Sequence, residues 1–153
     1  SSFSVTYDTY LFTWHSTQPI TDAESLAFRV AQGGAAKTDS TYTRAVLGRN
    51  DSGSTHHNSA TNNNVIYLTG TGVGNASVDE HSSGNLWVYN PLSSAVTGIL
   101  FQTWVNNQGN EVYTYYAAGS YHGNNTALTG GQFLYSSGNV SNGEFLLYGL
   151  AKS

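Results

Sequence analysis

The chain has no cysteine and no methionine, only two prolines, and so few charges that Asp, Glu, Lys and Arg together make 9% of its 153 residues. Without cysteine there is no disulfide framework, no thiolate zinc ribbon and no thiol nucleophile. The five basic residues, Arg29, Lys37, Arg44, Arg49 and Lys152, are dispersed, and the formal net charge is −4. Such a balance argues against nucleic acid as a partner, because no basic patch exists to meet a phosphate backbone. No apolar run reaches the length of a membrane span. Ser1 to Tyr10 also lacks the basic start and apolar stretch of a secretory signal. With no methionine at its start, the chain is expected to be the end piece of a longer protein.

Ser, Thr, Asn, Gly and Tyr are abundant instead, so neutral hydrogen-bonding groups rather than charge must keep the surface hydrated. Strand signals recur along the chain and sustained helical periodicity is missing. In Tyr10 to His15 the period is two, which puts Tyr10, Phe12 and Trp14 on one face, expected to be the core face. Leu26, Phe28 and Val30 form a second alternating set that ends at Gly33-Gly34. Further strands are expected at Tyr42 to Leu47, Val65 to Thr69, Leu86 to Tyr89, Thr97 to Val105, Val112 to Ala117, Gln132 to Ser136 and Glu144 to Leu150. In the last of these, Phe145 to Tyr148 are expected to supply a buried body that closes the fold at its C-terminus. The run Arg49 to Asn64 is polar and without periodicity, and reads as a long loop. About nine short strands with Gly- and Asn-rich turns predict an all-β fold. The expected architecture is one antiparallel β-sandwich over residues 1–153, with a jelly-roll path.

Catalytic signatures are absent. His56 and His57 are adjacent, which suits no chelating pair, and no H-E-x-x-H occurs, so no metal site is expected. The nine carboxylates could in principle supply the facing pair that a glycosidase needs, but most sit at apparent turns and strand ends, where they cap backbone amides or stay solvated. Asp79-Glu80 lacks the regular oxygen ligands of a calcium loop. No G-x-S-x-G elbow occurs. Gly70 to Gly74 lacks the lysine and the following helix of a phosphate cradle, and no cofactor is implied. Four Asn-x-Ser/Thr sequons, at Asn50, Asn75, Asn124 and Asn139, are of the number expected by chance in so polar a chain.

Aromatic residues are the stronger signal. Trp104, Tyr113, Tyr115, Tyr121 and His122 bracket a polar segment, and polar-tipped aromatics suit stacking on sugar faces. These five are the candidate carbohydrate-binding residues. Tyr113 and Tyr115 share one face of their strand and Tyr116 takes the other, so at most one of the two sets can be core. Packing within the monomer or at a trimer interface is the competing use of the same side chains.

The final eighteen residues, Ser136 to Ser153, combine a turn rich in Gly and Asn, a short apolar strand ending Leu147-Tyr148-Gly149 and the chain end. This resembles the C-terminal part of a β-rich module found in structural proteins of tailed bacteriophages, such as tail and head fibres. Tyr7 to Phe12 followed by Pro19 to Asp22, Leu26 to Val30 followed by Gly33-Gly34, and Gly74 to Ala76 leading to Leu86 to Pro91 fit that module in order. The resemblance implies a non-enzymatic virion structural protein on the virion surface, a homotrimer in contact with other virion proteins, presenting loops to a host-surface polysaccharide. A capsid decoration or cement protein is the first alternative. A carbohydrate-binding module or depolymerase of a secreted enzyme is the second.

Overall fold

The computed structural model of the chain describes residues 2–123 and 126–151. Its strands are β1 (Tyr7–Pro19), β2 (Leu26–Gln32), β3 (Ala35–Ala36), β4 (Tyr42–Asn50), β5 (Thr55–Asn63), β6 (Ile66–Tyr67), β7 (Ser82–Tyr89), β8 (Thr97–Asn106), β9 (Val112–Tyr121), β10 (Gly130–Tyr135) and β11 (Val140–Ala151). No helix occurs among the described residues. Seven strands form one sheet in the order β11-β1-β7-β8-β9-β4-β5, and four form a second in which β2 lies between β10 on one side and β3 and β6 on the other. All pairings between these strands are antiparallel. The sheets pack face to face around a single cluster of apolar side chains, the antiparallel β-sandwich that the alternation predicts.

The inner face of β1 follows the expected period, with Tyr10, Phe12 and Trp14 buried. At Ser16 the backbone turns to a φ of +49°, and the pairing of β1 with β7 and β11 slips. Beyond this bulge Thr17 and Pro19 take the buried side, so one strand contributes two sets of opposite parity to the core. Between the sheets, Phe12 meets Phe28 and Phe133 at ring separations of 5.4 and 5.5 Å, and Trp14 meets Phe133 at 5.7 Å. Tilted and edge contacts of this kind add to the burial itself.

Three expectations are corrected. Arg49 to Asn64 is not a loop: Thr55 to Asn63 pairs along β4 as the outermost strand of the large sheet. Six of its nine side chains are exposed and none is fully buried, so backbone pairing makes it a strand and no apolar alternation marks it. The C-terminal strand does pair with β1, from Leu150 opposite Thr9 to Val140 opposite Pro19. As an edge strand, however, it buries only part of its apolar body. Phe145 and Leu147 pack against the core, whereas Tyr148 and Leu150 face outward and are exposed. Of Val65 to Thr69 only Ile66 and Tyr67 form a strand.

Trp14 is fully buried because β7 offers it a glycine. A Cβ on Gly84 would lie 2.4 Å from the Gln102 carbonyl oxygen and 2.5 Å from the Trp14 ring. Gly84→Ala is therefore expected to destabilise the protein by about 1–3 kcal/mol through overpacking, read as a lower midpoint in chemical denaturation. A substitution that leaves the midpoint unchanged would show that Trp14 does not depend on this close approach.

Candidate functional site

The five candidate residues do not form one site. Tyr113, Tyr115 and Tyr121 alternate along β9 on its inner side and are buried, so their ring faces are not offered to solvent. Trp104 and His122 are exposed. In the β8–β9 ladder Thr97 opposes Tyr121 and Trp104 opposes Thr114, which places Trp104 and Tyr121 at opposite ends of the hairpin.

Each buried tyrosine hides its ring and carries its hydroxyl to a separate place. Tyr113 donates to the Glu111 carboxylate at 2.9 Å. Tyr121 donates to Asp39 at 3.1 Å, and its ring packs at 4.9 Å from that of Tyr42. Tyr121 and His122 border a recess of about 70 Å³ together with Ser93 to Thr97. The His122 imidazole is held by the Ser120 hydroxyl at 2.7 Å. Tyr115 stacks parallel to Tyr113 at 6.0 Å, and its hydroxyl, beside the Gly70 backbone, has no partner in good hydrogen-bonding geometry. Gly48 and Gly70 make room for that ring, since a Cβ on either would lie within 3 Å of it.

Trp104 belongs instead to the outer face of the large sheet, where its ring leans on His81 at 5.0 Å. The register assembles this face from strands far apart in sequence. One row across six strands reads Tyr148, Leu11, Trp87, Leu100, Ala118 and Ala45. The next row reads Leu146, Thr13, Asn85, Gln102, Tyr116 and Leu47. Neither contains a charged residue. Leu100, Tyr116 and Leu47 are 46, 54 and 53% exposed, an unusual amount of open apolar surface for a sheet face.

Most of the carboxylates are engaged in local structure. Glu80 is buried and accepts from the amides of Ala76 and Ser77, holding the turn before β7. Asp39 accepts from Thr41 and Tyr121, Glu111 from Asn107 and Tyr113, Asp22 from the Asn75 amide, and Glu24 from the Ser136 hydroxyl. Among the described residues no three His, Cys, Asp or Glu side chains are grouped to hold a metal ion. The Asn124 sequon lies outside the described residues. No family model and no curated protein sequence matches the chain.

Two residues that the candidate set omits matter to the inner surface: Arg44 and His56. Arg44 shares the inward parity of Tyr42 and Val46 on β4. A cation at that parity, in a chain with only five Lys and Arg, is a signal that period-two reading contains. His56 gives no such sign, because its strand carries no apolar pattern.

Replacing Tyr115 separates its two ends. Tyr115→Ala is expected to cost roughly 3 kcal/mol or more, as for a large core ring. Tyr115→Phe is expected to be neutral or slightly stabilising, because it removes a buried hydroxyl without a hydrogen-bond partner. Equilibrium denaturation of both variants checks this. A second expectation concerns alkaline pH. Burial, reinforced by the hydrogen bond to Asp39 and its charge, pushes the Tyr121 hydroxyl up to about 12, and burial does the same for Tyr135. Both pKa values are raised above that of the unfolded chain, near 10, so their contribution is complete below pH 10. It is lost as pH rises through about 12. Tyrosinate absorbance should therefore appear in two groups, and the melting temperature should fall between them, less steeply in Tyr121→Phe. A single titration near the ordinary value would contradict the burial.

Proposed function

We propose that the chain is a non-enzymatic structural module of a tailed-phage virion, part of a fibre, spike or surface protein. It assembles as a homotrimer through the outer face of its large sheet and presents its loops to host-surface polysaccharide. The observation that carries the assembly is the pair of uncharged rows across that face. With strands about 4.8 Å apart and about 3.4 Å per residue, these two rows across six strands cover on the order of 400 Å². That is about half of the roughly 800 Å² that each partner contributes to a stable interface, so the neighbouring outward row, which carries Glu144 and Arg49, is covered as well. The two uncharged rows meet their own copy without repulsion, although the chain as a whole is negative. The resemblance to phage modules supports the virion setting, and the jelly-roll path belongs to the same reading. Local engagement of the carboxylates favours a structural protein over a hydrolase.

Light scattering on the protein in its assembled form should give a trimer mass. Leu100→Lys combined with Tyr116→Lys should return it to monomer while leaving the melting curve of the monomer in place, since both side chains point away from the core. A wild-type protein that stays monomeric in the particle would overturn the assembly. Saturable binding of neutral polysaccharide to the open face of such a monomer would identify a carbohydrate-binding module instead. Shortened glycan products would identify a depolymerase.

A further inference from the structure

The two borders of the large sheet differ. β5 closes one with polar side chains, whereas β11 closes the other and, among the described residues, pairs with β1 alone. The regular ladder of β11 runs from Glu144 opposite His15 to Leu150 opposite Thr9, a stretch centred on Leu147. The Asn90 amide donates to the Asp8 carbonyl at 2.9 Å, so the even-numbered main-chain groups of β1 face β7 and the odd-numbered ones face β11. The residues opposite those odd positions, Glu144, Leu146, Tyr148 and Leu150, are therefore the ones bonded to β1. The N–H and C=O groups of Phe145, Leu147 and Gly149 point along the open edge. Native edges are usually guarded by charge, proline or a bulge, and this stretch has only Glu144 at one end. Beside it, Phe12, Gly131, Phe133, Phe145 and Leu146 line an open apolar recess of about 220 Å³.

A second copy of the same strand fits this edge. Laid antiparallel about a two-fold axis at Leu147, Phe145 meets Gly149 of the second copy, Leu147 meets Leu147, and Leu146 meets Tyr148. Every open main-chain group then finds its counterpart, because Phe145, Leu147 and Gly149 fall opposite members of the same set. An axis nearer either end would run one strand into the irregular stretch around Asn142 or beyond Leu150. The side chains agree with the central register. Phe145 and Leu147 lie on the inner side and Tyr148 on the outer, so apolar groups face one another across the axis. The Cβ position of Gly149 is taken by the Tyr7 ring, which gives Phe145 of the second copy an aromatic surface to meet. Glu144 falls opposite Leu150 and not opposite its own twin, so no like charges are paired. We propose that β11 is a self-pairing edge, through which two copies join their large sheets into one. The contact is small: such a ladder is about 24 Å long and about 10 Å deep, on the order of 240 Å² per copy, against roughly 800 Å² in a stable interface. It forms where copies are crowded, which leaves the trimer as the dilute species and makes β11 a contact between trimers. The pairing goes beyond the trimer and does not require it, since Leu100 and Tyr116 lie on other strands.

Because the chain has no cysteine, a single one introduced reports contact with its own twin. At about 1 mM protein, Leu147→Cys should join two chains by a disulfide on mild oxidation, since Cα atoms of a hydrogen-bonded antiparallel pair lie about 5.5 Å apart, within the span a disulfide bridges. Leu150→Cys is the more exposed site. Its twin, however, would lie about 20 Å away, and cross-linking should be at least about tenfold slower. The comparison is repeated with Leu100→Lys and Tyr116→Lys present, which removes the threefold contact. Cross-linking that persists there leaves edge pairing standing whether or not the trimer forms, and a trimer without cross-linking leaves the trimer and removes edge pairing. In the same background two charge variants read the register by sedimentation. Leu146→Lys with Tyr148→Lys sets like charges against each other twice and should keep the chain monomeric where its parent pairs. Leu146→Glu with Tyr148→Lys sets opposite charges together twice and should pair at least as strongly as the parent. Equal cross-linking through the two cysteine sites, cross-linking through neither, or pairing that is as strong with like charges as with opposite ones would overturn the proposal.

Discussion

A sheet of seven strands packs against one that is only three strands across, so much of its inner face has to be closed by something other than the partner sheet. Over β1 and β11 the closure is conventional, with the phenylalanines of β2 and β10 meeting those of the large sheet. Over β9 and β4 it is done by tyrosines. Tyr42, Tyr113, Tyr115 and Tyr121 are long enough to fill the depth that a missing strand leaves, and the hydroxyls of Tyr42, Tyr113 and Tyr121 reach polar partners. Tyr42 shows the arrangement: it accepts from the Val30 amide at 3.1 Å and donates to the Lys37 carbonyl at 3.0 Å, tying the large sheet to the small one. A leucine or phenylalanine there would fill space but could not make both bonds.

Much of the sandwich was legible from alternation. Tyr10, Phe12 and Trp14, and Leu26, Phe28 and Val30, declare their buried faces because one parity is apolar and the sequence around them is not. The pattern cannot show the bulge at Ser16, since a positive φ at a serine leaves no compositional trace. Nor can it show β5. A strand whose two faces are both polar has no reason to alternate, and Thr55 to Asn63 owes its conformation to main-chain bonds with β4. In β11, apolar residues at successive positions read as a buried run, whereas the strand sits at an edge and its two parities part company, one toward the core and the other toward the open face.

The candidate residues were less legible, for a reason particular to tyrosine. Tyr113, Tyr115 and Tyr121 are compatible with either side of a sheet, because the ring satisfies a core and the hydroxyl satisfies a rim. Which parity of β9 points inward depends on small residues of neighbouring segments, chiefly Gly48 on β4 and Gly70 in the bend after β6, that make room for the rings. The outer rows are harder still to foresee. Leu11, Trp87, Leu100 and Ala118 come from four strands, and only the register makes them neighbours.

The far edge of the large sheet carries its own meaning. Between Arg44 and Tyr42 the chain of β4 advances two residues while β5 advances three, from Ala60 to Asn63, and Asn62 takes a φ of +58°. The outermost ladder is thus kinked and clothed in Ser, Thr, Asn and His, features that discourage an incoming strand from continuing the hydrogen-bond pattern. The same run whose lack of periodicity hides a strand from view acts as a terminator of lateral growth. A protein poor in charge and rich in β structure is exposed to runaway ladder formation, and the polar, irregular border along β5 offers an incoming strand a poor template.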